Sequence, residues 1–197
     1  MFTSDNGGLL GVTNNAPLRV GKGSAYEGGV RVPLIICWPG VTKAGLVEAT
    51  PAITPDLYPT VLELAGVKPL QSLVDGISLA PLLKSGAKPD RDAIFWHYPH
   101  YHPGGATPYS AIRSGDFRLV HFYEDGRDEL YDLANDVGES KDLAATEPVR
   151  AKALRTRLDA WLKSVDAQFP TANPAFDPAA DKAGKAKGKP AAKKVGK

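Results

Sequence analysis

The chain has 197 residues, 43% hydrophobic and 23% charged, an ordinary globular composition with room for one or two small domains. Its formal charge of +2 is uneven: residues from 171 onward hold seven Lys and two Asp, so the first 170 carry 17 basic against 20 acidic residues. A polyanion-binding reading from net charge is therefore not supported for the body. The single Cys37 excludes an internal disulfide and a multi-cysteine zinc site, and no run of eighteen apolar residues or leader-like pattern is present.

In chain order, residues 1–31 read as loop, with the turn pairs "NGG" and "NNAP". The opening "FTSDNGG" (2–8) looks like a strand end followed at once by an acid–amide pair and two glycines. "VPLIICW" (32–38) is a continuous apolar β-former run, which predicts a strand buried on both faces, with Cys37 inside it as a small buried hydrophobe. "TPDLYPTVLELAG" (54–66) predicts a helix with Thr54 as N-cap, Leu57, Val61, Leu64 and Ala65 on one face, and Gly66 as its stop. "SLAPLLKSG" (78–86) predicts a shorter helix.

Beyond residue 90 the pattern changes. "AIFWHY" (93–98), "YSAIRS" (109–114), "FRLVHFY" (117–123) and "DELYDL" (128–133) are short alternating strands, with the turns "SGD" and "EDGRD" between them. A helix over 147–165 follows, with Pro148 near its start and Ala153, Leu154, Leu158, Trp161, Leu162 and Val165 on one face. Residues 171–197 are Ala/Lys/Gly/Pro low complexity and read as disordered. The fold class is α/β: an α/β piece over 1–90, a small antiparallel-sheet subdomain with a closing helix over 91–168, and a tail over 169–197.

Few residues can carry chemistry. Asp5 and Asn6 are either a plain turn or two hard oxygen donors suited to Ca²⁺ or Mg²⁺, short of the six to eight that Ca²⁺ takes. Lys22, between Gly21 and Gly23, is either a solvated loop lysine or a compact cation placed for close approach to an anion; the P-loop spacing is absent. Glu27 and Arg31, four apart, read as a structural ion pair. "WHYPHYHPGG" (96–105) holds His97, His100 and His102, which read as pocket rim, metal ligands or packing.

Taken together and in this order, "FTSDNGG", "NNAPLRVGKGSAYEGGVRVP", "ITPDLYPTVLELAG", "DGISLAPLL", "AIRSGDFRLV" and "ELYDLANDVGES" resemble the formylglycine-dependent sulfatases, arylsulfatase-type members of the alkaline-phosphatase-like superfamily. The resemblance covers residues 2 to about 165. It implies an α/β fold, here the C-terminal part of it, and hydrolysis of a sulfate ester, carried by a small molecule or a glycan. It further implies that Asp5 and Asn6 are ligands of an active-site Ca²⁺, that Lys22 contacts the sulfate, and that His100 reaches the substrate. No nucleic acid or membrane partner is expected, and the family is often exported. The family's C/S-x-P-S/A-R nucleophile motif is absent, since Cys37 stands in Cys-Trp-Pro-Gly. The formylglycine is therefore expected in a missing N-terminal portion, without which the chain is expected to be inactive. The alternatives are a non-catalytic module, a phosphatase or phosphodiesterase of the same fold, and a polyanion-binding tail.

Overall fold

The computed structural model describes residues 1–68 and 74–176. The tail expectation for 177–197 lies outside the described residues. Among the described residues eleven elements follow one another: β1 (Phe2–Thr3), α1 (Glu27–Val30), β2 (Leu34–Ile35), a 3₁₀ turn (Thr54–Asp56) running into α2 (Leu57–Leu64), α3 (Ala80–Ser85), β3 (Ile94–Tyr98), β4 (Tyr109–Ser114), β5 (Phe117–Phe122), β6 (Asp128–Asp132) and α4 (Pro148–Ser164). Among the described residues no helix is long and apolar enough to cross a membrane.

The sheet β3-β4-β5-β6 is an antiparallel meander. Its register sets Phe95 opposite Ile112, Ile112 opposite Leu119, and Leu119 opposite Leu130. Because side chains alternate with period two, one face collects Ile112, Leu119 and Leu130. Helix α4 covers that face with Ala151, Leu154, Leu158 and Leu162, and Phe95 stacks on Trp161 at 4.8 Å between ring centroids. The other face collects Tyr109, Ala111, Val120 and Phe122, which pack against Ala25 and Ala106. The sheet is thus a middle layer, with α4 on one side and the loop around residue 25 on the other. The strand expectations hold closely, and the turns close where expected, with Gly115 and Gly126 at positive φ of 58° and 72°.

Three expectations change. The α4 stripe takes in Ala151 and leaves Ala153 and Val165 exposed, because 153 lies on the far side of the helix from the 151/154/158/162 row and 165 is the C-cap. The 32–38 run yields only the two-residue β2, paired with β1, and Ile35 is 59% exposed. Cys37 is exposed as well. The sequence pattern of a doubly covered strand is present, but among the described elements only β1 packs on it. In the 54–66 helix the buried positions are Asp56, Pro59 and Thr60, while Val61 is half exposed.

Asp56 explains that last change. Its fully buried carboxylate accepts the Ile53 N–H (2.8 Å), the Ile77 N–H (2.9 Å) and both arms of Arg91 (2.6 and 2.9 Å). Thr60 Oγ1 donates to Asp56 O (2.6 Å) and accepts the Leu79 N–H (2.8 Å). Polar groups of "TPD" therefore organise this helix pair, where a reading by apolar spacing puts leucines.

Candidate functional site

The first loop turns at residues 4–8. Ser4 Oγ donates to Asn6 O (2.9 Å), leaving the Asp5 carboxylate exposed and Asn6 half-buried. Gly7 N–H donates to Gly29 O (2.9 Å), and a Cβ at Gly7 would lie 1.7 Å from Gly28 O, so only glycine allows this approach. The second loop, Arg19–Ser24, is tied to the first by Asn15. Its Oδ1 accepts the Gly8 N–H (3.1 Å), while its Nδ2 donates to Gly8 O (2.8 Å) and Val20 O (3.0 Å). Lys22 N–H also donates to Gly8 O (3.0 Å). Val20 sits at φ 60°, a conformation that β-branched residues rarely adopt and that persists where neighbours over-determine it. The Asp5–Asn6 pair and Lys22 thus stand on one hydrogen-bonded platform. The Lys22 side chain is exposed and makes no ion pair with the described residues.

His100 does not join this platform. It is exposed, with its ring edge-on to Tyr98 at 5.4 Å. His102 does: its Nδ1 accepts the Gly104 N–H (2.8 Å), its N–H donates to Ala106 O (2.9 Å), and Ala106 N–H donates to Gly23 O (2.9 Å). His97 lies on the α4 face, between Ser110 Oγ and Gln168 O (2.7 Å each). Among the described residues no group of three or more His, Cys, Asp or Glu could hold a metal, which leaves the three histidines of 96–105 as separate actors.

Beneath the platform a charged cluster joins loop to sheet. Arg118, fully buried in β5, bonds Glu139 Oε1 (2.6 Å) and donates to Ala25 O. The second Glu139 oxygen accepts the Glu27 N–H (2.7 Å). Glu27 faces Arg31 (3.4 Å), which realises the expected ion pair, and also Arg118 (3.7 Å) and Arg113 (3.8 Å). Arg19 lies over the Tyr26 ring (3.7 Å to its centroid) and donates to Tyr131 OH (2.9 Å) and Glu139 O (3.0 Å). Both phenols donate to Glu129 Oε2 (2.9 and 2.7 Å). Burial, then the adjacent Glu129, pushes Tyr26 up to about 12 and Tyr131 higher still, so both stay protonated donors. Burial likewise pushes the Glu139 carboxyl above its usual range, against the pull of Arg118.

Residues 20–168 match the model of the family described as N-sulphoglucosamine sulphohydrolase, C-terminal. The chain belongs to the sulfatase family. Within it, the chain corresponds to the C-terminal portion of the alkaline-phosphatase-like fold. It is 43% identical over 178 residues to a sulfatase of Formosa agariphila, covering 82% of this chain and 32% of that protein. It is 32% identical over 201 residues to human arylsulfatase A, covering 81% and 38%. Among solved structures it resembles BT4656 in complex with its substrate D-glucosamine-2-N,6-O-disulfate, with a TM-score of 0.61, 33% identity, and coverage of 70% and 29%. The chain spans about a third of the length of the relatives it matches.

Asn15, Arg118 and Glu139 escape a reading of the sequence, which marks His102 only as one of three histidines in 96–105. Asn15 hides in a turn-like "NNAP", and His102 differs from His100 only in which backbone it meets. Arg118 and Glu139 are linked by a contact across 21 residues that no local pattern signals.

Proposed function

We propose that this sulfatase segment forms part of an active site that hydrolyses a sulfate ester, with Lys22 contacting the sulfate and Asp5 and Asn6 serving as metal ligands. One observation carries the reading. The Lys22 amide and the Asn15 side chain both bond Gly8 O, which holds the only unpaired lysine of the platform next to the acid–amide pair. An exposed ammonium on a glycine-flanked loop suits a tetrahedral dianion or monoester as a mobile point charge.

The donors fit a hard cation as part of its set. Asp5 and Asn6 are adjacent, offer carboxylate and amide oxygens, and the Asn6 side chain has no partner among the described residues. Ca²⁺ bound there would supply positive charge toward the sulfate oxygens. The chain's own part is to orient: Asn15 and Gly7 fix the Asp5–Asn6 turn, and Ala25 and Glu27 anchor the far end of the Lys22 loop to the sheet.

The BT4656 complex supports a glycan sulfate as the substrate class. We assign residues 1–90 to the catalytic α/β part, 91–168 to the substrate-facing subdomain, and 169–197 to a tail. The remaining machinery, the formylglycine included, belongs in this reading to an N-terminal portion. The exposed apolar residues Phe2, Leu34 and Ile35 of the two-strand edge would be covered by it. The test is Lys22→Ala in the complete sulfatase polypeptide, assayed on a sulfated monosaccharide. Turnover falls on the order of a hundredfold, as when one oxyanion donor is lost. Unchanged turnover refutes the assignment, and preference for a phosphate ester over the sulfate moves the reading to a phosphatase.

A further inference from the structure

We propose that His102 is a substrate-binding residue beside Lys22, donating its Nε2–H to an oxygen of the sulfate ester. The inference rests on the sulfate site proposed above.

Residues 102–106 form a closed turn: His102 N–H reaches Ala106 O, and Gly105 N–H returns to His102 O (2.9 Å each). That turn is seated directly on the Lys22 loop. Ala106 N–H donates to Gly23 O (2.9 Å), and a Cβ at Gly104 would lie 2.6 Å from Lys22 O. The imidazole itself covers Gly23: a Cβ there would meet His102 Nδ1 at 2.1 Å and Cε1 at 2.4 Å, and Gly23 holds φ +78°. Glycine on both sides of the contact lets the ring lie against the backbone one residue from Lys22. A larger residue at either position would push ring and lysine apart.

The hydrogen bonding then fixes which nitrogen carries the proton. A backbone N–H can only donate, so Nδ1, which faces the Gly104 N–H at 2.8 Å, must accept. In a neutral imidazole an accepting Nδ1 leaves the proton on Nε2. Nε2 has no partner among the described residues, and the side chain is half exposed. The result is an oriented neutral donor seated on the loop that carries an unpaired lysine, a pair that suits an acceptor oxygen of an anion without adding a second positive charge. A histidine kept for packing would need neither the free Nε2–H nor the two glycines. His100, by contrast, has its ring on Tyr98 and no backbone contact with the loop.

The test uses the complete sulfatase polypeptide, isotope-labelled at histidine and lysine and with its nucleophile left unconverted so that ligands bind without turnover. Long-range proton–nitrogen correlation spectra of the histidine rings, with His102 assigned through His102→Gln, are recorded during titration with sodium sulfate and, separately, glucosamine 6-sulfate. The expected free state shows His102 protonated at Nε2, and both ligands shift that nitrogen together with the Lys22 amide. His102→Ala weakens binding roughly tenfold or more, as for loss of a hydrogen bond to a charged group. His102→Gln, whose amide can accept from Gly104 and donate outward, restores most of it, which a purely structural role would not require. Weakening with both ligands places the contact on the sulfate, and weakening with the sugar sulfate alone places it on the alcohol portion. A proton on Nδ1, or His102→Ala binding like wild type while Lys22→Ala loses binding, overturns the inference and leaves the sulfate site standing. Failure of both ligands to shift the Lys22 loop overturns the site and the inference together.

Discussion

Replacing Glu139 with Gln removes one charge and almost no volume from the cluster that joins the Lys22 loop to the sheet. Glu139 and Arg118 are both fully buried, and they bond at 2.6 Å. Glu27, the other carboxylate near Arg118, stands at 3.7 Å and is shared with Arg31 and Arg113. The substitution therefore leaves a buried guanidinium with only the longer contact to a carboxylate it shares with Arg31 and Arg113, which costs about 3–5 kcal/mol. For a chain of this size that lowers the thermal midpoint by roughly 6–20 °C, readable by near-ultraviolet circular dichroism or calorimetry. The cost arises from stranding Arg118: burial pushes the Glu139 carboxyl above its usual range, and the adjacent Arg118 at 2.6 Å pulls against it. An apolar pair, Arg118→Met with Glu139→Leu, therefore recovers most of the lost stability. A midpoint shift below about 2 °C in Glu139→Gln, or a double variant no better than the single one, refutes the reasoning.

Asp56→Asn breaks a bidentate bond to Arg91 and keeps one charge at a buried site, so unfolding in urea should show a loss of about 3–5 kcal/mol, and a loss below about 1 kcal/mol would refute the anchoring role. Asp128 gives a pH test. Burial pushes its carboxyl up, but His121 and Arg155 outweigh that and hold it below the usual range. Its contribution is therefore full above about pH 4 and lost as pH falls through the lower folded value, so the stability gap between wild type and Asp128→Asn should narrow in acid and stay constant above it.

The half of the fold beyond residue 90 is legible in the sequence because each of its signals is local. Alternation in "AIFWHY" and "FRLVHFY", Gly115 and Gly126 at the turns, and Pro148 at the start of α4 each act within a few residues. The 32–38 run is misread because burial of a strand is a property of what lies on its faces, which its own residues do not encode. Alternation also conceals as much as it reveals in β5: both faces of that strand are covered, so Arg118 looks like an outward residue while being wholly inside. At the site, Asp5, Asn6 and Lys22 stand out through their glycines and spacing. Asn15 and His102 work through bonds to backbone carbonyls and amides, which any residue can offer, so no side-chain pattern marks the partner.

That division has a physical logic for catalysis. Groups that meet a ligand must keep unsatisfied valences, and so sit on loops where the chain leaves them exposed; a loop alone would let Lys22 wander. Here the exposed lysine is one residue from a glycine capped by His102, and five residues from Glu27, whose amide ends on a carboxylate buried in the sheet layer. The stiffness comes from the core, since α4 holds the sheet from behind and Arg118 ties its front to Ala25 O. Loss of Glu139 should therefore loosen the Lys22 loop as well as the fold. If the Lys22 and His102 amides kept wild-type hydrogen-exchange protection in Glu139→Gln at a temperature where the chain is still folded, the cluster would be a structural staple only, with no part in aiming the lysine.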